Sequence, residues 1–191
     1  MNNGYINELI MTLEQTKIYI GTELGSTYDE GIDKLIECFI KHKQNRSQIF
    51  FIGNGGSSAI ASHMTADYMK NGGMNTYSVY DNAVSTCMAN DYGYDYIFSK
   101  PIDFLGRRQD ILVAISSSGN SANIVNAVDI AVAKGMEVIT FTGFKMDNKV
   151  RQRGDINVYV PSEKYGVVES IHNLILQQIV DTIMERDGVS I

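Results

Sequence analysis

Apolar residues in this chain fall into short, nearly continuous runs, separated by longer stretches in which they recur every three or four positions. Runs such as Ile49-Phe50-Phe51-Ile52 and Ile111-Leu112-Val113-Ala114-Ile115 predict buried strands, and the pattern as a whole places strands at 48–52, 76–80, 110–115, 136–142 and 155–160. Helical spacing predicts helices at 57–71, 83–90, 95–105, 121–134 and 146–152, with a long one from about 165 to 187. Ahead of these, 5–22 and 29–44 read as two helices broken near Gly25-Ser26-Thr27. The first carries Ile6, Leu9, Ile10, Leu13, Thr16, Lys17 and Ile20, a mostly apolar stripe at helical spacing. Strands alternating with helices indicate an α/β fold whose parallel sheet is covered on both faces. The expected organisation is one domain over 1–191, with a helical pair in 1–45 and the sheet core and C-terminal helix in 46–191.

Two turns stand out where predicted strands give way to helices. The first reads Gly53-Asn54-Gly55-Gly56-Ser57-Ser58, the second Ser116-Ser117-Ser118-Gly119-Asn120-Ser121. Each sets hydroxyls and unpaired backbone N–H groups at a helix N-terminus, where the helix dipole favours an anion. In a parallel sheet, ligands bind beyond the carboxyl ends of the strands, which is where both turns fall. Four serines in six residues exceed the needs of one helix cap, and suit a compact acceptor such as a phosphate monoester. The first turn also resembles a dinucleotide fingerprint, with Asp81 in place of a ribose-binding acid. The third glycine position holds Ser58, however, and no nucleotide cofactor is expected.

Composition narrows the partners. At 191 residues, with 44% hydrophobic and 20% charged residues, the chain can bury a real core. A net charge of −6 without basic runs argues against a nucleic-acid or anionic membrane partner, so an anionic ligand must be held by local donors. No stretch approaches the roughly 20 apolar residues of a membrane span. The N-terminus lacks signal-peptide character, and Cys38 and Cys87 form no CxxC pair, which together predict a cytoplasmic protein with reduced thiols.

The segments GNGGSSAIASH at 53–63 and AISSSGNSANI at 114–124, with MANDYGYDYIFS at 88–99 between them, resemble the sugar isomerase (SIS) domain family, most nearly its phosphoheptose isomerases. The resemblance covers almost the whole chain. It implies a three-layer sandwich around a five-stranded parallel sheet, a homotetramer using the N-terminal helices, and active sites drawn from more than one protomer. By motif, it assigns Asn54, Gly55, Gly56 and Ser57 to the first ligand-binding turn. Ser116, Ser117, Ser118 and Ser121 match the family's phosphate-binding serines, and Asn90 and Asp91 its asparagine–aspartate pair. Asp67 stands where the heptose isomerases carry a glutamate with catalytic and zinc-binding roles, four residues beyond His63 on one helix face. Glu169 falls at a glutamine that binds substrate and metal. Gln177, kept as a substrate-binding candidate, replaces a catalytic histidine, while Asn71 replaces an arginine and Gly166 an acidic residue. His172 reads as a structural histidine at a helix interface.

The implied reaction interconverts a ketose phosphate and an aldose phosphate through an enediol, foremost sedoheptulose 7-phosphate to D-glycero-D-manno-heptose 7-phosphate. Such chemistry needs a base at the C1–C2 edge and a second proton-transfer group, here Asp67 and Glu169. Zinc is a candidate cofactor, held by His63, Asp67 and Glu169. The rival expectation is a binding protein on the same fold, like the SIS protein that associates with the bacterial replication initiator DnaA; Gln177, which cannot shuttle a proton as imidazole does, points that way.

Overall fold

The computed structural model, which describes residues 3–21, 23–25 and 27–189, departs from the sequence pattern first at the N-terminal end. The segment expected as one helix over 5–22 divides. Helix α1 covers Gly4–Glu14, and the chain then forms two short strands, Lys17–Ile20 (β1) and Glu23–Leu24 (β2), paired antiparallel. Thr22 and Ser26, within the expected helix end and the expected break, lie outside the described residues. The stripe is therefore not one helix face: Ile18 is buried under the sheet edge, while Ile20 points outward from a strand. Helix α2 (Tyr28–Gln44) follows as expected, capped by the Thr27 hydroxyl, which accepts from the Glu30 N–H at 3.2 Å.

The five strands anticipated from the apolar runs are all present, as Gln48–Gly53 (β3), Asn75–Tyr77 (β4), Ile111–Ser116 (β5), Glu137–Thr142 (β6) and Ile156–Tyr159 (β7), and they pair in parallel. The sheet nonetheless has seven strands rather than five, in the order β2-β1-β7-β6-β5-β3-β4, because β1 adds antiparallel to β7. That pairing occupies the open edge of β7, which would otherwise present unpaired backbone groups. The Tyr19 ring of β1 also carries the Arg151 guanidinium 4.1 Å from its centroid.

Helices α3 (Gly56–Lys70) and α7 (Tyr165–Arg186) join α2 on one face, around Leu35, Phe39, Met64, Tyr68, Ile171 and Ile175. Helices α5 (Ser99–Leu105) and α6 (Ala122–Ala133) cover the other, around Ile102, Ile124, Ala127 and Val128. Two helix expectations shrink. The one over 95–105 becomes a 3₁₀ turn at Tyr94–Tyr96 followed by α5, and that over 146–152 only a 3₁₀ turn at Arg151–Arg153. Asp81, the candidate ribose-binding acid, instead caps α4 (Asn82–Tyr92) by accepting from the Val84 N–H at 3.0 Å.

Gly31 marks where β1 meets α2. A Cβ there would lie 2.6 Å from Ile18 Cβ, an atom too close to the backbone to swing aside. Alanine is the better helix former by up to about 1 kcal/mol, but overpacking of this kind costs about 1–3 kcal/mol. Gly31→Ala is therefore expected to lower stability on balance, measured as a reduced urea midpoint.

Candidate functional site

The order of the strands fixes where the two turns meet. From β3 the chain crosses by α3 to β4 on one side, and from β5 by α6 to β6 on the other, so β3 and β5 are the neighbours at which the winding reverses. Their register sets Gly53 beside Ile115, which brings the two turns together. A cleft of about 340 Å³ opens there, lined by Asn54, Gly55, Gly56, Ser57, Ser116, Ser117, Ser118, Ser121, Tyr165 and Glu169.

The first turn is held from beneath by Tyr80, whose hydroxyl donates to Gly53 O at 2.9 Å and accepts from the Gly53 N–H at 2.5 Å. Gly55 enters α3 at a φ of 56°, a left-handed conformation that side chains resist. Gly56 has a different reason: the Glu169 carboxylate sits where any side chain would project. The turns are tied to each other by a reciprocal amide pair, in which Asn54 and Asn123 exchange hydrogen bonds of 2.9 Å each way. The Tyr94 hydroxyl donates to the same Asn54 oxygen at 3.2 Å.

In the second turn, Ser116 Oγ accepts from the Gly119 N–H at 3.2 Å and Ser118 Oγ from the Asn120 N–H at 3.3 Å. Ser121 precedes α6 without its hydroxyl capping the helix. Ser117 Oγ is buried with no hydrogen-bond partner, a cost that native proteins seldom accept without a ligand or solvent to meet it. Among the described residues no lysine or arginine lines the cleft. Hydroxyls and the first-turn N–H groups of α3 and α6 are thus its donors, and a small anion with several acceptor atoms fits them. Glu169 is the acidic group in the cleft, and burial raises its carboxyl above its ordinary value.

Every expected residue of the two turns lines this cleft, as does Glu169. Other candidates lie elsewhere on the protomer. His63 Nε2 and Asp67 Oδ2 are 3.2 Å apart on the outer part of α3, as their spacing implied. Asp67 stands eleven residues beyond Gly56, about 16 Å along the helix at 1.5 Å per residue. Within one protomer it is therefore well removed from Glu169. Gln177 donates to Asp181 at 3.1 Å farther along α7, while Asn90 and Asp91 bond to each other on the exposed helix α4. His172 is wholly buried, with Nε2 3.2 Å from Thr142 O and its ring edge-on to Phe141, a structural position. Asn123, Tyr94 and Tyr165 carry roles that local pattern did not single out, although Asn123 follows the SSSGNS turn by only two residues.

Comparison with known proteins follows the same lines. The family model described as SIS domain matches residues 19–143. The chain is 39% identical over 142 residues to the phosphoheptose isomerase of Yersinia enterocolitica, covering 71% of this chain and 73% of that protein. It is 32% identical to the phosphoheptose isomerase of Aeromonas hydrophila, over 93% of each chain. Among solved structures, phosphoheptose isomerase from Neisseria gonorrhoeae superposes with a TM-score of 0.80 at 31% identity, covering 94% of each chain.

The buried histidine of α7 generates a pH dependence. Burial pushes His172 from 6.5 down to about 4, partly offset by its bond to Thr142 O. The native state thus binds fewer protons than the unfolded chain between those values. The stability this provides is complete above about pH 6.5 and lost progressively as the pH falls toward about 4, a span worth on the order of 3 kcal/mol. Urea titrations from pH 7 to pH 4 are expected to show wild type losing stability relative to His172→Gln, which cannot titrate.

Proposed function

This chain belongs to the SIS domain family and is an aldose–ketose isomerase of phosphosugars; we propose that its substrate is sedoheptulose 7-phosphate and its product D-glycero-D-manno-heptose 7-phosphate. The cleft of clustered serine hydroxyls at two helix N-termini, with one raised carboxyl beside it, carries this reading. Ser116, Ser117, Ser118 and Ser121 take the phosphate, and Asn54, Gly55, Gly56 and Ser57 close over the sugar end of the cleft. The Ser117 hydroxyl gains the partner it lacks.

Proton transfer assigns two roles. Asp67 removes the proton from the carbon beside the carbonyl, and the resulting enediol receives it back at the neighbouring carbon. Glu169, more easily protonated because it is partly buried, donates to the carbonyl oxygen and recovers a proton from the adjacent hydroxyl. Since Asp67 lies some 16 Å along α3 from the residue that Glu169 touches, the two meet only if one protomer supplies Glu169 and its partner Asp67. His63, Asn90, Asp91 and Gln177 sit outside the cleft in the same way and would complete it from neighbouring copies. Zinc fits the donor chemistry of paired His63 and Asp67 with Glu169; held there it would polarise the substrate carbonyl in place of proton donation by Glu169. Assembly is supported by α1, where Ile6 and Ile10 are 58% and 47% exposed on an apolar face. We read the protein as a homotetramer.

Incubation with sedoheptulose 7-phosphate in deuterated water tests the reaction directly. Solvent deuterium is expected at the product's C2, with Asp67→Asn reducing turnover by about 10²–10⁴-fold, the usual range for a general base. Ser118→Ala with Ser121→Ala should weaken sugar-phosphate binding at least tenfold by calorimetry, since hydrogen bonds to charged groups contribute about 1.5–3 kcal/mol each. Gln177→His should raise turnover. Wild type that exchanges no deuterium with any sugar phosphate, with or without zinc, would leave a binding protein instead.

Assembly has its own measurement. Sedimentation at micromolar protein is expected to give a tetramer, and Ile6→Glu with Ile10→Glu a smaller species that retains native circular dichroism. A wild-type monomer would remove both the assembly and the shared site.

A further inference from the structure

A second set of reactive side chains converges at the opposite end of the sheet. Glu137 is the first residue of β6, whereas Thr142 at the cleft end is five residues on, about 16 Å away along the strand. The Glu137 carboxylate accepts from Cys38 Sγ at 3.2 Å, from Lys41 Nζ at 2.7 Å and lies 2.9 Å from His42 Nε2. Cys38 and His42 are four residues apart on α2, so they share one face, and both are buried. One ligand atom from each of Cys38, His42 and Glu137 lies within 4.8 Å of the other two.

The spacing suits a tetrahedral ion. Zinc bonds of about 2.0–2.1 Å to nitrogen and oxygen and about 2.3 Å to sulfur place neighbouring ligands about 3.3–3.6 Å apart. His42 Nε2 lies 2.9 Å from Glu137 Oε2 and Cys38 Sγ 3.2 Å from Glu137 Oε1, each a few tenths shorter, as groups hydrogen-bonded to one another must be. An ion entering here draws together three ligand atoms that already lie within 4.8 Å of one another. Thiolate, imidazole and carboxylate are together a donor set that zinc accepts well. One thiolate and one carboxylate also neutralise its charge, which keeps burial inexpensive. Clefts on either side of Glu137, both bordered by Lys41 and Asp155, give access and room for water as a fourth ligand.

We propose that Cys38, His42 and Glu137 bind a zinc ion that clamps α2 to the start of β6, at a site separate from the phosphate cleft. On binding, the Cys38 thiol releases its proton to solvent. The Lys41 ammonium, whose side chain is 61% exposed, gives up its contact with Glu137 and turns to water.

Cobalt is the probe, because a thiolate ligand gives Co²⁺ an intense near-ultraviolet charge-transfer band that nitrogen and oxygen donors do not. The full chain, stripped with chelator, is titrated with Co²⁺. The expected result is that band at one ion per chain, its loss on adding zinc, and a thermal midpoint raised by zinc. Cys87→Ser should keep the band, Cys38→Ser should abolish it, and Glu137→Gln should weaken binding at least tenfold. Wild type with no thiolate band at excess Co²⁺ overturns the site, as does a band that survives Cys38→Ser and disappears in Cys87→Ser. His63, Asp67 and Glu169 offer only nitrogen and oxygen, so metal at the isomerase centre cannot produce this signal. Deuterium exchange into the sugar reports that centre independently.

Discussion

The pairing of β3 with β5 is the constraint on which the rest of the site depends. Each strand is buried on both faces, and they end within one residue of each other, with Gly53 beside Ile115. Their connections leave toward opposite faces of the sheet, so α3 and α6 begin at one crevice while packing into different cores. Two positive helix ends are thereby aimed at one volume from two layers, an arrangement that neither helix could provide alone. Tyr80 beneath the first turn and the Asn54–Asn123 pair between the turns keep this crevice from relaxing.

Glu169 connects that crevice to the rest of the molecule. It reaches in from α7, and α3 can accept it only because position 56 has no side chain. The cleft therefore combines elements distant in sequence, whereas the residues expected to act beside it are dispersed over the outer surfaces of α3, α4 and α7. On the proposed reading, a protomer offers its phosphate cleft inside and the proton-transfer and metal-ligand candidates outside. In the homotetramer proposed above, activity would be a property of the assembly, because the symmetry that closes the oligomer would also complete each site.

Much of this was legible in the residues themselves. Runs such as ILVAIS report burial directly, since only a strand covered on both faces tolerates them. The serine turns were legible because their donors are contiguous, so that local sequence already is the geometry. β1 was not: four residues, Lys17–Ile20, are too few to distinguish a period of 2 from one of 3.6, and Ile20 happened to extend the stripe of α1. The helix expected over 146–152 gave way to a 3₁₀ turn for a related reason, since only Asn148 and Val150 in that stretch are buried, too few to define a helical face. Asn123 and Tyr165 could not be found by pattern, because their roles exist only once α6 and α7 are placed. The spacing of Cys38 and His42 on α2 was visible in principle, but Glu137 lies 95 residues beyond His42 and supplies what gives the spacing meaning.

The neutral character of the serine cradle has an effect that reaches beyond the contact distances. A cleft that holds a dianion with lysine or arginine also projects an attractive field, and added salt slows capture by screening it. Here the donors are hydroxyls and peptide groups, whose influence dies away within a few ångströms, and they are set in a chain of net charge −6. For the phosphosugar proposed above, a chain of net charge −6 opposes approach at long range while the cradle would hold it at short range. Capture of that ligand is therefore expected to quicken with ionic strength, because salt screens the repulsion and leaves the short-range contacts largely intact. Selection among anions rests on where their acceptor atoms lie and not on how much charge they bring.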